Sequence, residues 1–128
     1  MDFRIISESS TNIVTLGEKR DEVRERLGEY RSFKRTPGSD ESDQFLNSGV
    51  LVTYSSQDRV IMLEFVAPAQ VTLADIELMN QELEYLVERL ATKDLVVERD
   101  DYGGVITPLA VGLYAPSGVV EGVQIGGD

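Results

Sequence analysis

The chain has no cysteine and no histidine. Without cysteine there is no disulfide framework, no thiol nucleophile and no thiolate metal site. Without histidine it loses the commonest general base, the commonest metal ligand and the usual pH switch, and a Ser–His–Asp triad is excluded. Basic residues are scarce: 12 Lys and Arg stand against 23 Asp and Glu, a net charge of −11. Such a surface repels phosphate backbones and anionic lipid, so neither nucleic acid nor a membrane is an expected partner. It favours a basic protein partner, steered in by charge. No apolar run approaches the roughly 20 residues of a spanning helix, and MDFRIISESS lacks the basic-then-apolar layout of a leader. The expected location is the cytoplasm. Glycine occurs 11 times, yet neither GxxxxGK nor GxGxxG is formed, so no phosphate cradle is indicated.

What is present is an ordinary globular composition, 41% hydrophobic and 27% charged over 128 residues. A chain of this size buries roughly two thirds of its unfolded surface, enough for one real core. Two stretches recur. Gly49 to Val66, GVLVTYSSQDRVIMLEFV, lies over Leu109 to Gly126, LAVGLYAPSGVVEGVQIG, matching Tyr54 with Tyr114, Val60 with Val120, Leu63 with Val123 and Phe65 with Ile125. Ile13 to Leu27 likewise lies over Ile76 to Leu90. The expected fold class is therefore α+β: a single domain, 1–128, of two pseudo-repeats, about 13–66 and 76–126. Each is a short helix plus an antiparallel hairpin, with the helices packed on one sheet face.

Along the chain, Gly17 supplies a turn and a helix runs from about Lys19 to Leu27, with Val23 and Leu27 on one face and Gly28 ending it. Glu29 to Arg35 reads as a strand and Thr36 to Asp43, TPGSDESD, as a loop. In the first hairpin Val50, Val52 and Tyr54 share one face, and so do Ile61, Leu63 and Phe65. Val71 to Ala91 has two readings. It is one long helix by propensity, or, by the repeat, extended to Leu78, turned at Asn80 and helical from Gln81. Leu95 to Arg99 is a strand, Asp100 to Gly104 a turn, and Ala115 to Gly118 the loop of the second hairpin.

Carboxylates offer the candidate contacts. Asp40, Glu41 and Asp43 share one acidic loop, which lacks the ligand spacing and closing bidentate Glu of a calcium site. Asp100 and Asp101 adjoin Tyr102, an acidic–aromatic patch of the kind that anchors interfaces. Tyr54 and Tyr114 hold matching strand ends, where each ring caps the core and leaves its hydroxyl wet. The residues expected to meet a partner are Asp40, Glu41, Asp43, Tyr54, Asp100, Asp101 and Tyr102. No catalytic residue, metal ligand or cofactor is indicated.

Leu16-Gly17 with Glu22-Val23 and Leu27-Gly28, then GVLVTY, Ala67-Pro68-Ala69, Val71-Thr72 and VGLYAP, resemble a widespread group of small bacterial proteins with a tandem helix-plus-strands pattern. The tandem is also similar to the superfamily of the β-lactamase inhibitor protein and outer-membrane assembly lipoproteins. The resemblance implies helical segments on a small antiparallel sheet and action by binding proteins. Some proteins of this sort are immunity proteins that neutralise a toxin. Lys19 departs from the helix-capping Ser or Thr of that pattern, and Asn80 from its glycine. The expectation is a non-enzymatic acidic protein-binding module, most specifically an immunity-type inhibitor whose partner is a basic toxin domain. The alternatives are a module that dimerises through a sheet edge and an enzyme built on two carboxylates.

Overall fold

Short apolar alternations dominate the chain, and they build strands. The computed structural model describes residues 1–127, among which lie twelve strands and two short helices. In order these are β1 (Asp2–Ser7), β2 (Ser10–Thr11), α1 (Arg20–Leu27), β3 (Tyr30–Lys34), β4 (Glu41–Phe45), β5 (Val50–Tyr54), β6 (Val60–Val66), β7 (Gln70–Leu73), β8 (Ile76–Glu77), α2 (Leu83–Ala91), β9 (Val96–Asp100), β10 (Gly103–Thr107), β11 (Val111–Tyr114) and β12 (Gly122–Gly126).

This corrects the expected α+β tandem. The protein is mostly β, and a helix plus a hairpin is not its building unit. Each helix is followed by four antiparallel strands, and all eight join one sheet in the order β3-β4-β5-β6-β12-β11-β10-β9. A strand passed over in the sequence is β4, ESDQF, which reads there as the end of an acidic loop, and β10 begins at Gly103, inside the expected turn. Ladder bonds to β3 and β5, not apolar alternation, hold β4 in place. The two tyrosines matched by the repeat also sit in unlike surroundings. Tyr54 is 1% exposed and Tyr114 is 52% exposed.

The centre of the large sheet is the β6–β12 pair, where Leu63 opposes Ile125 and Phe65 opposes Val123. These four side chains are buried on the inner face. Ile61 departs from that face. Tyr54 pairs with Val60 and Thr53 with Met62, so Ile61 is the extra residue of a bulge. It is exposed, and Val60 is buried in its stead. A second sheet, ordered β2-β1-β7-β8, has β1 and β7 parallel, with Phe3 opposite Val71 and Ile5 opposite Leu73. The N-terminal segment is thus an inner strand of this small sheet. The Phe3 ring lies 4.8 Å from that of Phe65, which ties the small sheet to the large one.

Both helices add an apolar stripe to the same core: Val23 and Leu27 from α1, and Leu83, Leu86 and Leu90 from α2. Gly28 ends α1 at φ +82°, with its N–H donating to the Arg24 carbonyl. Residues 71–91 are not one long helix; the expected extended run to Leu78 is instead the β7–β8 hairpin, turned at Ala74 and Asp75, and α2 begins at Leu83. Asn80 turns at φ +60°, and its N–H donates to the Val120 carbonyl at 2.8 Å. Among the described residues no helix is long and apolar enough to cross a membrane.

Candidate functional site

The acidic residues singled out in the sequence divide between the two faces of the large sheet. On the inner face, β4 directs Asp43 under α1. Glu41 and Asp43 belong to this strand, and only Asp40 remains in the loop, exposed. Asp43 is fully buried. Arg24 donates to it twice, Nε to Oδ2 at 2.7 Å and Nη2 to Oδ1 at 3.0 Å, and the Ser32 hydroxyl donates at 2.6 Å. Arg20 pairs with Glu41, reaches Asp58 at 3.1 Å and lies 3.6 Å from Asp43. The two guanidinium groups also cover aromatic rings, Arg24 over Tyr30 at 4.1 Å and Arg20 over Tyr54 at 4.6 Å.

Burial by itself raises the Asp43 pKa, but the hydrogen bonds from Arg24 and Ser32 prevail and hold it below the ordinary aspartate value. Tyr54 goes the other way. Burial, reinforced by the nearby Asp43 charge, pushes its phenol up. The Tyr54 hydroxyl is buried without closing a hydrogen bond. Asp43 and Tyr54 are therefore internal groups that fasten α1 to the sheet, and neither presents a surface.

The outer face carries a different arrangement. Two rows of cross-strand neighbours run over the second half of the sheet. One is Val105–Gly112–Gln124–Glu64, and the other is Gly103–Tyr114–Gly122–Val66. They floor an open groove of about 650 Å³. That volume lies in the range of small-molecule ligand sites. Tyr102 and Tyr114 wall one end, 65% and 52% exposed, with Asp100 and Asp101 beside them. Glu64 lies across the floor, paired with Arg35.

The turn bearing this patch is well fixed. The Tyr102 N–H donates to Asp100 Oδ1 at 2.9 Å, and the Ala115 N–H donates to the Tyr102 carbonyl at 2.6 Å. Among the described residues no cation lies within 4 Å of Asp100 or Asp101. The fold thus brings Asp100, Asp101 and Tyr102 together with Tyr114. Asp40, Glu41, Asp43 and Tyr54 belong to the other half of the sheet.

The chain matches no protein-family model, no curated protein and no solved structure. Its groove is therefore read from its own chemistry. Exposed phenol rings attract cations to their faces and donate through their hydroxyls, and uncompensated carboxylates add Coulomb attraction. Sequence reasoning treated Tyr114 as a core cap and did not single out Val105. Gly112 and Gly122 read from the sequence as strand glycines that admit close packing or a bulge, but no site was placed on them.

Proposed function

We propose that this protein is a non-enzymatic, acidic protein-binding module acting in the cytoplasm, and that its partner is a basic protein. The observation that carries the proposal is the pair of unpaired carboxylates, Asp100 and Asp101, set beside two exposed tyrosines on one groove. Tyrosine is enriched among interface hot spots. Desolvating Asp100 and Asp101 without a cationic partner is costly, so the surface discriminates for Lys and Arg. An immunity-type inhibitor of a basic toxin domain is the specific form suggested by the resemblance of the sequence.

Dimerisation through a sheet edge has weaker support. Both edge strands of the large sheet carry charge, Glu98, Arg99 and Asp100 on β9 and Arg31 and Lys34 on β3, which blunts edge pairing there. The test is affinity capture with the wild type and with Asp101→Lys in parallel, the retained proteins being identified. A basic protein held by the wild type and released by Asp101→Lys supports the reading. Retention indifferent to Asp101 and to salt refutes it.

A further inference from the structure

Most glycines in the second half of the sheet are demanded by the backbone. Gly103 lies at φ +149°, and a Cβ there would meet the Leu113 carbonyl oxygen at 2.0 Å. At Gly104 a Cβ would meet the Glu98 carbonyl oxygen at 2.8 Å. Gly112 and Gly122 differ. Neither has a positive φ, and a Cβ at either makes only ordinary contacts, 3.5 Å to Gln124 at Gly112 and 3.5 Å to the Phe65 carbonyl oxygen at Gly122. Both lie within central strands, where glycine weakens the ladder and packs nothing. The fold has room for a Cβ at both positions. The missing side chains keep one thing open, the groove floor between Val105, Tyr114 and Glu64.

From this bare floor, with its acidic and aromatic end, we infer that the groove receives an extended basic segment of a partner protein. Backbone lies close over Gly112 and Gly122, and a Lys or Arg stacks on Tyr102 and Tyr114 against Asp100 and Asp101. An extended chain is slim enough to lie on backbone that has no side chains above it. The unpaired carboxylates select its charge. This inference rests on the protein-binding reading and specifies how the partner is held.

The test uses two ten-residue peptides, one alternating Lys and Val and one alternating Glu and Val, titrated into the isotopically labelled protein. The lysine peptide is expected to shift the backbone amide signals of Gly112, Gly122 and Tyr114, and the glutamate peptide to leave them in place. Gly112→Val is expected to melt no lower than wild type and to bind the lysine peptide about tenfold more weakly or worse, the size of a lost hot-spot contact. Tyr102→Ala with Tyr114→Ala is a second arm that leaves Gly112 and Gly122 untouched, and it is expected to weaken binding comparably. Equal response to both peptides, no response to either, or shifts confined to β3, β4 and the helices overturns the inference. So does a dimer in light scattering that Gly112→Val dissociates, because the occupant is then a second copy. A captured partner that needs Asp101 but binds Gly112→Val unchanged leaves the module reading standing and removes the groove from it.

Discussion

Arg24 holds Asp43 through two nearly parallel hydrogen bonds, 2.7 and 3.0 Å long, beneath the first helix. The carboxylate has no exposed surface, and the guanidinium is itself covered on one face by Tyr30. Removing one member of a buried pair leaves the other charge without compensation, which costs about 3–5 kcal/mol in a deep interior. Arg24 keeps partial access to water, so Asp43→Asn is expected to lose about 2–3 kcal/mol, at or below the bottom of that range. Urea unfolding at neutral pH measures the loss. A change under about 0.5 kcal/mol, the scale of ordinary surface substitutions, would show that α1 does not depend on this pair.

The same carboxylate gives a pH dependence with a definite sign. Its pKa in the folded protein lies below the ordinary value because Arg24 and Ser32 hold the charged form against burial. A depressed folded pKa means stability that is fully present above the unfolded value, about 3.9, and lost as pH falls through the folded one. The stability gap between wild type and Asp43→Asn is therefore expected to be constant from neutrality to about pH 4 and to narrow below it. Paired denaturation curves at pH 7, 4 and 2.5 check this. A gap that widens in acid contradicts the assignment.

Tyr54 separates packing from hydrogen bonding. Its ring is buried with the core, while its hydroxyl is an orphaned buried group. Removing an unsatisfied buried hydroxyl relieves desolvation and breaks no bond. Tyr54→Phe is expected to be neutral or stabilising by up to about 1 kcal/mol, and Tyr54→Ala to cost about 3–5 kcal/mol. A loss of about 1 kcal/mol or more in Tyr54→Phe would mean that the hydroxyl does bond to Asp43 in solution.

On the outer face, Asp101→Lys is expected to slow association with a basic partner, to flatten its dependence on salt, and to change stability by less than about 0.5 kcal/mol. Asp100 is the poorer choice for this substitution because its side chain also accepts the Tyr102 N–H. Stopped-flow association at two ionic strengths reads the effect. An unchanged rate places the contact surface elsewhere.

The Phe3–Phe65 contact joins the two sheets. Phe3→Ala removes a fully buried ring at that junction and is expected to cost about 3–5 kcal/mol. It should also speed hydrogen exchange in β1 and β7 ahead of the large sheet, because the small sheet loses its anchor. Exchange that accelerates evenly in both sheets would show that they open as one unit.

Local signals settled much of this protein. Gly17, Gly28 and Asn80 all take the positive φ their residue types suggested. The apolar alternation of Val50 to Tyr54 is a strand, and Val23 and Leu27 are buried on one helix face as read. Absence of cysteine and histidine removed whole classes of chemistry before any coordinates, since no fold can supply a missing functional group. Tertiary structure decided the remainder. Whether a polar segment such as ESDQF pairs as a strand depends on neighbours distant in sequence. So does whether a carboxylate meets water or an arginine, and burial with one partner or another is what sets its charge energy. The groove belongs to that second kind. Its glycines, tyrosines and acids come from five strands and one turn, and only their register across the sheet makes them a single surface.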